Sequence, residues 1–122
     1  MRSIHKAYGD WINSKNINNG INITLTAKQY VNGVSIDKIK LQRNVRYFKT
    51  ILNRKLFGNA YRRYDKEIQT LFVQEISHSG RLHIHGILER PHRINYDDYC
   101  SLIEETWKKT WFGYNEIHIE EP

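Results

Sequence analysis

The stretch Glu75-Ile76-Ser77-His78-Ser79-Gly80-Arg81-Leu82-His83-Ile84-His85 constrains this chain more than any other. It reads as two short strands around a tight turn. Side chains of a strand alternate between faces, so His83 and His85 share one side while Leu82, Ile84 and Leu88 share the other. If His78-Ser79-Gly80 forms a three-residue loop, Ser77 pairs with Arg81 and Glu75 falls opposite His83. Opposed residues in an antiparallel pair share a face, so one carboxylate and two imidazoles then meet. A two-residue loop sets Glu75 against Ile84 instead and disperses the group, because a slip of one residue turns every side chain over.

Two neutral imidazoles and a carboxylate leave positions open on a divalent ion, a pattern suited to catalysis more than to scaffolding. Mixed nitrogen and oxygen ligands suit Mn, Mg or Zn, and ligand type alone does not choose among them. A His-x-His pair by itself is weak, since two solvated strand histidines give the same pattern. The apolar alternation of Leu82, Ile84 and Leu88, the glycine turn and the carboxylate in register favour the metal site.

The chain has 122 residues, of which 39% are hydrophobic and 26% charged, as expected of one globular domain with a single core. No apolar run approaches the length of a membrane span, and the opening Met1-Arg2-Ser3-Ile4-His5-Lys6 lacks the apolar centre of a signal peptide. One cysteine, Cys100, excludes an internal disulfide and a cysteine-based zinc finger, and fits a reducing intracellular compartment. Net charge is +6. Arg43, Arg46, Lys49, Arg54, Lys55, Arg62, Arg63 and Lys66 crowd the middle of the chain, a concentration that suits a polyanion such as nucleic acid, or equally a solvated helix face.

Residues 3–14 read as a short helix capped by Ser3. Ile21, Ile23 and Leu25 alternate with Asn22, Thr24 and Thr26, the pattern of a half-buried strand. Leu41, Val45, Phe48, Ile51, Leu52 and Leu56 recur at helical spacing up to Gly58. Residues 68–76 and 81–88 form the hairpin, and Pro91 ends it. Asn95 is an expected N-cap with Asp98 as its capping-box partner and Ile94 and Tyr99 as a hydrophobic staple. Tyr99, Leu102, Ile103 and Trp107 give that helix its buried stripe, Gly113 closes it, and residues 114–119 read as a last strand. This order predicts an α+β fold, a sheet with helices on one face, and the histidines on the other, open face. An extended single strand fits such a surface better than a small metabolite does.

At this point the residues resemble a family. Leu82-His83-Ile84-His85-Gly86-Ile87-Leu88-Glu89 resembles the second motif of HUH endonucleases, the rolling-circle replication initiators of plasmids, phages and small single-stranded DNA viruses. Ile23-Thr24-Leu25-Thr26 is similar to the first motif, and Glu75 occupies the place of the third metal ligand in the Rep branch. Trp107-Lys108-Lys109-Thr110-Trp111-Phe112-Gly113-Tyr114 resembles the segment that follows the second motif, so the likeness spans residues 21–119.

The resemblance implies a ferredoxin-like core with a central antiparallel sheet. It implies Mn or Mg, with Zn less suited, held by Glu75, His83 and His85. It further implies nicking of single-stranded DNA or an origin hairpin through a 5′-phosphotyrosine link, in the cytoplasm of a bacterium or of the host of a phage, plasmid or virus. The third motif of the family, Tyr-x-x-Lys on a downstream helix, has no counterpart among the eight tyrosines here. Tyr96 is the weak candidate nucleophile, with Tyr99 where the lysine belongs. The expectation is therefore one Rep-like domain over residues 1–122 that stops before the tyrosine helix and holds the metal half of the site. Thr24, Thr26, Lys28, Arg81 and Trp111 are the candidate DNA contacts. His78, His92 and His118 read as surface residues. Two other readings stand beside this one: a non-catalytic nucleic-acid-binding module on the same sheet, and a metal-dependent hydrolase that uses bound water. The pattern leaves the oligomeric state open.

Overall fold

The computed structural model describes residue 17 and residues 19–120, and the helix expected over residues 3–14 lies outside them. Strand β1, Gly20–Ala27, carries the alternation read from sequence: Ile21, Ile23 and Leu25 are buried, while Asn22, Thr24 and Thr26 face the other way. A small hairpin follows, β2 (Tyr30–Val31) and β3 (Val34–Ser35), joined by Asn32 and Gly33, both at positive φ. Helix α1 runs from Lys38 to Phe57. Its N-cap is Asp37, whose carboxylate accepts from the Lys40 backbone N–H at 2.8 Å, and Gly58 ends it. Leu41, Val45, Phe48, Leu52 and Leu56 form its buried stripe. A short helix α2, Asn59–Arg63, then leads to the hairpin of β4 (Thr70–Ile76) and β5 (Leu82–Glu89). Helix α3, Tyr96–Lys108, and strand β6, Gly113–Glu120, complete the described chain.

The four long strands form one sheet in the order β4-β5-β1-β6, every neighbouring pair antiparallel. With α1 between β1 and β4 and α3 between β5 and β6, the arrangement is the expected ferredoxin-like α+β fold. Ile21, Ile23, Leu25, Leu82, Ile84 and Leu88 turn one sheet face toward both long helices, where they meet Phe48, Tyr99, Ile103 and Trp107. The Phe48 ring packs edge-on to Trp107 at 5.5 Å between centroids. Truncating either ring to alanine leaves a cavity that costs about 3–5 kcal/mol.

Polar groups lock the connections onto this core. The Trp107 indole donates to the Thr26 carbonyl at 3.0 Å, and the Tyr99 hydroxyl donates to the Glu89 carbonyl at 2.7 Å. Two buried asparagines on α1 hold loops: Asn53 accepts from the Ile68 N–H at 2.8 Å, and Asn44 donates to Thr110 Oγ1 at 2.9 Å. The Asn95 cap on α3 is made as expected, the side chain accepting from the Asp98 N–H at 2.8 Å. Gly113 departs from expectation. It opens β6 rather than closing α3, which ends at the Lys109 cap, and a Cβ there would overlap the Trp107 carbonyl.

Candidate metal centre

The β4–β5 turn decides the site, and it takes the three-residue form. Ser77 N–H donates to the Arg81 carbonyl at 2.9 Å, and Gly80 N–H returns to the Ser77 carbonyl at 2.9 Å. Gly80 sits at φ 82°, which a side chain resists, so the position selects glycine. Ser77 Oγ also accepts from the Arg81 N–H at 3.2 Å. The loop thereby fixes Glu75 opposite His83.

The cluster follows from that register. Glu75 Oε2 lies 2.5 Å from His85 Nε2 and 3.5 Å from His83 Nε2. One ligand atom from each of the three residues falls within 4.8 Å of the others. The imidazole rings stand edge to face, centroids 5.1 Å apart. All three side chains are half-buried, open enough for a ligand and sheltered enough to hold an orientation.

The first strand supplies the second layer. β1 pairs with β5 so that Thr24 opposes His85 and Thr26 opposes His83. Thr24 Oγ1 shares a hydrogen bond with His85 Nδ1 at 3.2 Å. Occupying Nδ1 in this way directs Nε2 toward Glu75 and His83, the orientation a metal-ligating imidazole needs. Two ring nitrogens and a carboxylate oxygen converging on one point are a donor set that fits a divalent cation. The fit rests on the shared carboxylate oxygen: it approaches both Nε2 atoms at once, and a cation can replace that pair of contacts.

The other expected DNA contacts divide. Thr24 and Thr26 lie on the histidine face. Lys28 follows β1 directly and is exposed, and Arg81 precedes β5, its guanidinium 5.7 Å above the Tyr114 ring. Both stand at the end of the sheet that carries Glu75 and His83. Trp111 is exposed but lines a pocket with α1 residues rather than the histidine face. The basic residues of α1 also lie away from the cluster, because α1 packs on the opposite face of the sheet.

Tyr96 is not brought to the metal centre. It begins α3 and packs against the core on the helix side, with the sheet between it and the histidines. Its neighbour Tyr99 is a core residue, its hydroxyl pushed far above the ordinary phenol range by burial and then by the charge of Glu89. His78 and His92 are exposed, as read.

His118 is exposed too, yet it has a place that sequence reasoning missed. It opposes Thr24 from β6, so His118, Thr24 and His85 form one row across the face. With Asn22 and Glu120 they line a groove of about 280 Å³ beside the cluster. The signal was the parity of His118 within its strand, readable only once β6 is known to pair with β1.

Leu71 and Ile87, also paired across this face, are buried outside the main core. The face is therefore polar at the cluster and apolar toward its other end. Among the described residues no helix is long and apolar enough to cross a membrane. Comparison with protein-family models, with curated proteins and with solved structures finds no match to this chain.

Proposed function

We propose that this chain is a metal-binding, single-stranded DNA endonuclease domain of the HUH replication-initiator type. The observation that carries the reading is the convergence of Glu75, His83 and His85 on the face of a ferredoxin-like antiparallel sheet opposite its two long helices. The metal end of that face carries Lys28 and Arg81 in reach of a polyanion.

Mn or Mg is the proposed ion, held by the two Nε2 atoms and the Glu75 carboxylate. When bound, it offsets the charge of the phosphodiester and so lowers the barrier to attack at phosphorus. The remaining work falls to the chain. Thr24 keeps His85 turned inward, Thr26 and Lys28 border the path of the strand, and Arg81 offers a forked donor to a phosphate. A 5′-phosphotyrosine step needs a phenol oxygen at the face, and Tyr96 does not supply it.

That last point favours a second reading, a single-stranded nucleic-acid-binding module without catalysis on the same sheet. One experiment separates the two. A labelled single-stranded oligonucleotide carrying an origin-like sequence is titrated with the chain in Mn and in EDTA, and the products are run on a denaturing gel. The endonuclease reading predicts affinity at least about ten-fold higher in Mn, erased by His85→Ala, and no adduct that Tyr96→Phe removes. Equal affinity in Mn and EDTA would discard it in favour of the binding module.

A further inference from the structure

The basic residues that do not reach the histidine face have a surface of their own. A pocket of about 580 Å³ lies between the first turns of α1 and the turn from α3 into β6. Lys40, Arg43 and Lys109 line it together with two exposed aromatic rings, Tyr47 and Trp111, and the buried Phe112, and no carboxylate is among the lining residues. The rings are 55% and 58% exposed, unusual for side chains that gain so much from burial.

The floor is rigid. Asn44 is buried there, its amide donating to Thr110 Oγ1 at 2.9 Å and accepting from the Phe112 N–H at 3.2 Å. Lys40 is steadied by Asp37 at 3.1 Å and Lys109 by Glu105 at 2.8 Å, whereas Arg43 has no ion pair among the described residues. Exposed flat rings interleaved with cations on a fixed floor suit a base stacked on an indole with its phosphate beside guanidinium and ammonium groups. An apolar ligand would leave the Arg43 guanidinium without a counter-charge.

The pocket also adjoins the proposed DNA path. The Lys28 N–H donates to the Phe112 carbonyl at 2.7 Å, and Gly113 pairs with Ala27. The pocket wall is thus hydrogen-bonded directly to the end of β1, at the residue that follows Thr26 and Ala27.

We propose that this pocket is a second single-stranded DNA subsite, which takes a nucleotide of the strand leaving the histidine face, with its base on Trp111 and its phosphate at Arg43. The choice of DNA rests on the functional reading above, whereas the subsite itself does not need the metal. The test is therefore made in EDTA, with the full chain and a fluorescein-labelled oligothymidylate long enough to span both sites, read by anisotropy. Trp111→Ala should weaken binding by about ten-fold or more, and Trp111→Phe should restore most of it. Arg43→Ala should lower the slope of log affinity against log salt by about one. Both side chains are exposed, so unchanged melting temperatures certify the fold.

Wild-type affinity in Trp111→Ala and Arg43→Ala overturns the subsite, whatever the Mn dependence at His85 proves to be. Competition by polyglutamate as strong as by oligothymidylate overturns base stacking in favour of an acidic peptide. A preference for oligouridylate overturns DNA as the occupant.

Discussion

Two of the contacts His85 makes set the orientation of its ring. Its Nε2 faces Glu75 at 2.5 Å, and its Nδ1 meets Thr24 at 3.2 Å. An imidazole held at one nitrogen presents the other with little rotational freedom, so Thr24 orients the ring nitrogen that a metal ion would use. Thr24→Val keeps the shape of the strand and removes that hydrogen bond. It should weaken Mn binding by about ten-fold, measured by competition with a chelating dye, without loss of the fold. Unchanged affinity would mean that the ring needs no such support. The ligand triad was legible because strand alternation and loop length are both written in the local sequence. The buried asparagines were not. Asn44 and Asn53 belong to a residue type that normally marks turns and surfaces, and their partners, Thr110 and Ile68, are distant in the chain.

Among elements, those with strong hydrophobic periodicity were legible: β1, the β4–β5 hairpin, α3, β6 and the body of α1 form where the spacing puts them. Weak or short elements escaped. The β2–β3 hairpin carries an Asn-Gly turn signal, but two-residue strands have no periodicity to read. The start of α1 was also missed, since its cap Asp37 lies four residues before the first buried leucine, Leu41, with only Lys38, Ile39 and Lys40 between. That cap has a pH signature. Its hydrogen bond from the Lys40 backbone, and then the Lys40 ammonium itself, hold the Asp37 carboxyl below its ordinary range. A depressed carboxyl stabilises the fold above its unfolded value and loses that contribution as pH falls through the folded one. Asparagine caps helices as well as aspartate does, without titrating. Urea unfolding of Asp37→Asn should therefore show a smaller loss of stability than wild type between neutral pH and about pH 3. Identical acid profiles would show that the cap carries no charge-dependent part.

At the scale of the whole molecule, topology divides the charges in a way no window of sequence reveals. The order β4-β5-β1-β6 sends both long helices to one face, so the basic residues of α1 and the histidines of β5 end on opposite sides. The same topology removes Tyr96 from the metal centre, although it follows the histidine motif by only a few residues. It also brings His118, remote in sequence, into line with His85 through β1. The result is a chain with a candidate three-ligand cluster on one face and a basic, aromatic pocket on the other. Calorimetric titration with Mn of the metal-free chain, of His85→Ala and of Glu75→Gln tests the central claim most directly. The account predicts uptake of a single ion by the native chain and no measurable uptake by either variant, with far-ultraviolet spectra unchanged. Native-like uptake by His85→Ala and Glu75→Gln, or none by the native chain, would contradict it.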